Sequence, residues 1–201
     1  VSTRQLLNDE RAELITLLRD LSEDEWEAPS LCAGWRVRDV VGHLLYDEMS
    51  LLGYTRFALG HRLNTDRVND GLVDRARALT TAQLIERFEN SGQRITGVWP
   101  SLGLADILVH QQDIRRPLGR PRTIPADRLI AVLRHPDPFA GPRTYTRGLR
   151  FVATDVDWSA GTGPEVRGPG EALALAAVGR PVALEDLIGE GVETLRRRHG
   201  V

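Results

Sequence analysis

The chain contains no lysine: all its basic residues are arginines. That absence excludes a Schiff-base lysine and the lysine of a phosphate-binding P-loop. Cysteine is almost as scarce. The single residue, Cys32, excludes an internal disulfide framework and fits a reducing cytoplasm. Long apolar runs are also missing, and the mean hydropathy is −0.26, so no segment reads as a membrane span. The first residues, Val1 to Gln5, lead directly into an amphipathic pattern without the basic and apolar regions of a signal peptide. A charge of one sign is lacking too. The 26 basic and 28 acidic residues leave a net charge of −2, which gives no electrostatic footprint for nucleic acid. These absences give the expectation of a cytoplasmic protein, and 201 residues are long enough for one or two domains.

What is present is mostly helical periodicity. Leu7, Leu14, Leu17, Leu18 and Leu21 recur at three- and four-residue steps and predict a first helix over 3–20. Ser22 and Glu25 have capping-box spacing and start a short turn carrying Trp26. Val37, Val40, Val41, Leu44, Leu45, Leu51 and Leu52 form the stripe of a second helix over about 37–59, with Gly60 as its stop. Residues 61–79 are polar and read as a loop or a short helix. Thr80 or Thr81 caps a third helix that ends near Trp99-Pro100, and Ser101 caps a fourth that ends before Pro117. Four helices with short to medium connections predict a mainly α protein built on an antiparallel four-helix bundle over 1–120. Beyond it, 121–147 is expected to be a linker with a short helix around Asp127–Leu133. Residues 148–201 are expected to form a small α/β C-terminal domain, with strands near 149–154 and 165–167 and helices over 171–178 and 184–198.

The chemistry concentrates between Leu102 and Ile114. At about 100° per residue, Asp106, His110 and Asp113 share an arc of roughly 60° on a face that also carries Leu102, Val109, Ile107 and Ile114. A carboxylate and an imidazole on a buried face need partners, because desolvating either alone is costly. Two solutions stand: a hydrogen-bonded Asp106–His110 couple, or an ion held by both and by a ligand from another helix. His43, mid-helix beside Gly42, is the candidate third ligand. It sits at the edge of its stripe, where a structural histidine is the alternative. The set His43, Asp106 and His110 is a two-histidine, one-carboxylate triad, a donor set that leaves positions open for water or substrate. Asp113 pairs with an arginine or supports the ligands from behind. His61, His135 and His199 read as surface residues, and Cys32 as a buried small apolar residue with no base beside it in sequence. Arg115, Arg116, Arg120 and Arg122 form a cluster that either faces the helix C-terminal dipole and solvent or makes an anion-binding lip.

Three ordered segments carry a resemblance. Residues 29–44 (Pro29 to Leu44, with Cys32, Gly34, Trp35, Asp39 and His43), residues 108–119, and the pair Thr154-Asp155-Val156-Asp157-Trp158-Ser159 and Gly163 to Pro169 resemble the mycothiol-dependent maleylpyruvate isomerase family of the DinB-like metal-binding superfamily. The resemblance covers most of the chain. It implies a DinB-like four-helix bundle followed by a small α/β domain. It also implies a divalent metal, zinc in the family, held at positions matching His43, Asp106 and His110, with mycothiol as thiol cosubstrate. The implied reaction is isomerisation or thiol transfer on a small electrophile by a metal-activated thiolate. The charge balance and hydropathy give no expectation of a nucleic-acid or membrane partner, and the oligomeric state stays open between monomer and homodimer. The chain departs from the pattern in one place: the family has glutamate where this sequence has Asp106. The alternative is a metal-binding or sensor module without turnover.

Overall fold

The structure, a computed structural model, describes residues 1–201, which divide into two compact units, Val1–Pro121 and Arg122–Val201. No helix in it is long and apolar enough to cross a membrane.

The N-terminal unit is a helical bundle. Helix α1 (Thr3–Asp20) starts at Ser2, whose side chain accepts from the Gln5 amide, and buries Leu6, Leu7, Leu14, Leu17 and Leu18 as the leucine spacing requires. Helix α2 (Glu23–Glu27) has the expected reciprocal Ser22–Glu25 cap and buries Trp26. The loop that follows folds back through a bridge between Pro29 and Arg36. Helix α3 (Val37–Leu44) then begins where the Arg36 amide donates to the Asp39 carboxylate at 2.9 Å.

The second predicted helix does not run on to residue 59. It stops at Leu44, tightens into a 3-10 turn over Leu45–Glu48, extends at Met49, and restarts as α4 (Leu51–Gly60) with Ser50 as N-cap. The reason is tertiary. Asp47 on the turn is drawn away to accept hydrogen bonds from the Ile95 and Thr96 amides and the Thr96 hydroxyl. Leu51 and Leu52, expected in the buried stripe, are therefore exposed, and α4 buries none of its side chains.

The ambiguous stretch after it contains a helix, α5 (Thr65–Ala76), capped by Asn64 and packed along α3. At the crossing a Cβ on Gly42 would lie 2.7 Å from the Ala76 Cβ, so glycine is what lets these two backbones approach. Gly42→Val is expected to cost about 2–3 kcal/mol by overpacking, measured by denaturant unfolding. Gly60→Ala, at an unobstructed position, is expected to be neutral or stabilising. Equal effects at the two glycines would contradict the close crossing.

Helix α6 (Thr81–Glu89) has the Thr80–Gln83 capping box and ends ten residues earlier than expected, giving way to turns over 90–99. Helix α7 (Pro100–Arg115) starts with proline in its first turn and is buried on nearly all sides from Gly103 to Ile114. It packs against α1 and α3, so Leu104 and Leu108, which fall outside the polar arc, are core residues as well. A helix enclosed by its neighbours has no single apolar face to display in sequence.

The C-terminal unit is small and α/β. Strand β1 (Arg150–Ala153) is central, antiparallel to β2 (Ser159–Gly161) and parallel to β3 (Glu165–Gly168). Strand β2 lies between the two expected strands and was not itself expected. Its three residues are all exposed, so it has no alternation to detect. The segment expected to be a linker holds α8 (Ala126–Arg134), a 3-10 turn over Pro138–Ala140 and α9 (Pro142–Thr146). Leu129, Val132 and Leu133 of α8 are buried, and α8 packs on α10 (Gly170–Ala177), so these residues belong to the C-terminal core. Asp155 accepts from the Gly170 amide at 2.8 Å at the start of α10. A 3-10 segment over Pro181–Asp186 and α11 (Val192–His199) complete the unit.

Candidate metal centre

His43 projects from α3, and Asp106 and His110 project from successive turns of α7. Asp106 and His110 are a turn apart and so share a face. His43 is brought to them by the packing of α3 on α7. The His110 Nε2 lies 3.3 Å and the His43 Nε2 3.9 Å from the same oxygen, Asp106 Oδ1. One ligand atom from each of the three residues falls within 4.8 Å of the others, and the two imidazole rings meet edge to face at 5.0 Å. Metal–ligand bonds of about 2.0–2.2 Å separate tetrahedral ligand atoms by roughly 3.3–3.6 Å. The three side chains therefore fit a shared divalent ion with small adjustments. All three are buried, at 7–9% exposure.

The surroundings orient each donor. The His110 Nδ1 lies 2.9 Å from Asp113 Oδ2. A carboxylate only accepts, so this contact puts a ring proton on Nδ1 and turns Nε2 toward Asp106 and His43, where the neutral ring could offer its lone pair to an ion. Asp113 is fully buried, and its main-chain carbonyl accepts from the Leu31 amide at 3.0 Å, which ties the loop before α3 to α7. On the other side of the site the Tyr46 hydroxyl donates to Asp106 Oδ2 at 2.9 Å. The Trp35 ring lies 5.4 Å from that of His43.

The electrostatics favour the charged forms of Asp106 and His110. Burial alone would raise the Asp106 carboxyl, but hydrogen bonds and charge from His110 and His43 outweigh it and hold the group far below the usual carboxylate range. Burial likewise disfavours charge on His110, and its contacts with Asp106, Asp113 and Cys32 overcome that and raise its pKa well above the ordinary value. Burial pushes the Tyr46 phenol up, and the charges of Asp106 and Asp47 push it further, so it remains a proton donor.

Several residues sit differently from the sequence reading. Cys32 is half-buried rather than a core residue. Its thiol donates to Asp113 Oδ2 at 3.1 Å and lies 3.7 Å from His110 Nδ1, because the Pro29–Arg36 loop folds it onto α7. His61 is half-buried against Phe57, with ring centroids 4.3 Å apart. His199 stacks on Tyr145 at 4.4 Å and meets the Ala176 carbonyl. His135 is exposed as expected. Arg115 and Arg120 do not form an anion lip. Arg115 bonds Gln111 and the Arg120 carbonyl, and Arg120 pairs with Glu25 and Asp20. The sequence reading missed Tyr46 altogether. Its one local signal was its position three residues after His43.

The family model for the mycothiol maleylpyruvate isomerase N-terminal domain matches residues 7–106, a span that reaches from α1 through His43 to Asp106. This part of the chain belongs to that family. The matched span covers most of the helical bundle and includes His43 and Asp106, with His110 four residues beyond its end. Two solved structures share the fold along nearly the whole chain. A histidine-to-alanine mutant of the mycothiol-dependent maleylpyruvate isomerase superposes with a TM-score of 0.63 at 15% identity, covering 94% of this chain and 91% of that one. A second structure of the mycothiol-dependent maleylpyruvate isomerase gives 0.57 at 12% identity, with the same coverage. No curated protein sequence matches the chain.

Proposed function

We propose that this protein is a divalent-metal-dependent enzyme of the maleylpyruvate isomerase type that uses a small thiol, mycothiol, on a small electrophilic substrate. The observation that carries the reading is the convergence of one ligand atom each from His43, Asp106 and His110 inside a bundle of this family. These three residues would hold the ion, a donor set that suits several divalent metals, with zinc the one the family resemblance implies. A divalent cation supplies, when bound, the positive charge that lowers the pKa of a thiol.

The chain's own groups supply the rest. Asp113 fixes the tautomer and ring orientation of His110. Tyr46 and the aromatic ring of Trp35 flank the ligands. The near-complete burial of the three ligands limits water around them. Reversible addition of the thiolate to an activated double bond lets that bond rotate before the thiolate leaves again, which is isomerisation. Displacement of a leaving group by the same thiolate is thiol transfer.

The reading is tested on protein purified without added metal. Elemental analysis should find close to one zinc or other divalent ion per chain. Incubation with mycothiol and maleylpyruvate should give isomerised product that is lost on chelation. A metal-free protein that also fails to take up metal on titration would sink the proposal. Stoichiometric metal with no thiol-dependent turnover on a panel of activated alkenes would instead favour a sensor or binding module.

A further inference from the structure

The acidic ligand has two oxygens with different surroundings. Asp106 Oδ1 faces the imidazole nitrogens of His110 and His43, at 3.3 and 3.9 Å. Asp106 Oδ2 accepts the Tyr46 hydroxyl at 2.9 Å. Both partners of that bond are buried, Tyr46 at 8% exposure and Asp106 at 9%. The terminal torsion of an aspartate is broad and roughly two-fold, so on its own a carboxylate can turn through a wide arc. A buried donor on one oxygen removes that freedom and sets the direction of the other.

The helix break after Leu44 places this donor. Consecutive residues of the 3-10 turn point to different partners, Tyr46 to Asp106 on α7 and Asp47 to the backbone of Ile95 and Thr96. The turn is thus anchored independently of the site, and the Tyr46 hydroxyl is held from outside the ligand set.

We propose that Tyr46 is the positioning residue of this centre: its hydroxyl binds one oxygen of Asp106 so that the other faces His43 and His110 in ligating orientation. This rests on the metal reading given above. Tyr46 acts through Asp106, as groups behind metal ligands commonly do, and losses of such groups typically weaken metal binding about 10–100-fold.

The test is zinc affinity of the full chain, measured by competition with a chromogenic chelator, with cobalt absorption as a report of ligand geometry. Tyr46→Phe removes one oxygen and keeps the ring. It should weaken zinc binding about 10–100-fold and change the cobalt spectrum, while the thermal midpoint of the metal-free protein moves little. Asp106→Glu moves the carboxylate oxygens away from the Tyr46 hydroxyl, so Tyr46→Phe added to it should cost under about 3-fold, the non-additivity of directly coupled groups. Unchanged affinity and spectrum in Tyr46→Phe would overturn the positioning role. So would an equal loss in both backgrounds accompanied by a lowered metal-free midpoint, which marks a general packing effect. If the parent protein itself binds no zinc or cobalt, the metal reading fails first and the role of Tyr46 fails with it.

Discussion

Replacing His110 by alanine is expected to abolish metal uptake and thiol-dependent turnover together while the helices still assemble. His110 is the hub of the site: its Nε2 faces Asp106 and its Nδ1 binds Asp113. Removing a direct ligand should exceed the loss from groups behind the ligands, so affinity should fall by more than about 100-fold. Circular dichroism should retain its helical signal, since the core around α7 is made by Leu104, Ile107, Leu108 and Ile114. Metal content by elemental analysis is the deciding measurement, and His110→Ala protein that keeps full stoichiometry would exclude this residue as a ligand. Asp113→Asn should produce an intermediate phenotype, because an amide can still meet the ring nitrogen but carries no charge to favour the Nδ1 proton.

The largest loss of stability is expected elsewhere, at Asp47. This carboxylate is 1% exposed. It accepts from the Ile95 amide, the Thr96 amide and the Thr96 hydroxyl, and lies 3.5 Å from the Arg11 guanidinium. Arg11 is itself buried over the Phe88 ring and donates to the Phe88 carbonyl and to Ser91. Asp47→Ala would strand two amides and leave a buried guanidinium without its counter-charge. Breaking such a pair from one side costs about 3–5 kcal/mol. At roughly 3–5 °C per kcal/mol for a unit of this size, the midpoint should fall by about 10–20 °C. Asp47→Asn keeps one acceptor and should lose less. A midpoint for Asp47→Ala within about 2 °C of the parent would show that the network contributes little. The effect also bears on the site, because the anchored turn carries Tyr46 and the tethered segment leads into α7.

The sequence alone determined what is local. The leucine spacing of α1, the Ser22–Glu25 and Thr80–Gln83 caps, and the shared face of Asp106, His110 and Asp113 each depend on residues within a turn or two of one another. For that reason half of the site could be read directly: residues four apart on a helix must point the same way. Which residue would meet them from another helix was a matter of tertiary packing. The His43 position at the edge of its stripe was compatible with a structural role. Only the packing of α3 on α7, with Gly42 admitting Ala76 of α5 behind it, brings its ring to Asp106.

The break at residues 45–50 was equally hidden, because its cause is a hydrogen-bond demand from Ile95 and Thr96 about fifty residues away. With the break came the exposure of Leu51 and Leu52 and the placing of Tyr46 on Asp106. Cys32 met His110 and Asp113 only once its loop had folded back. Periodicity reports which face of a helix is apolar. It carries no information about which distant backbone groups remain to be satisfied, and those groups decided where this helix ended.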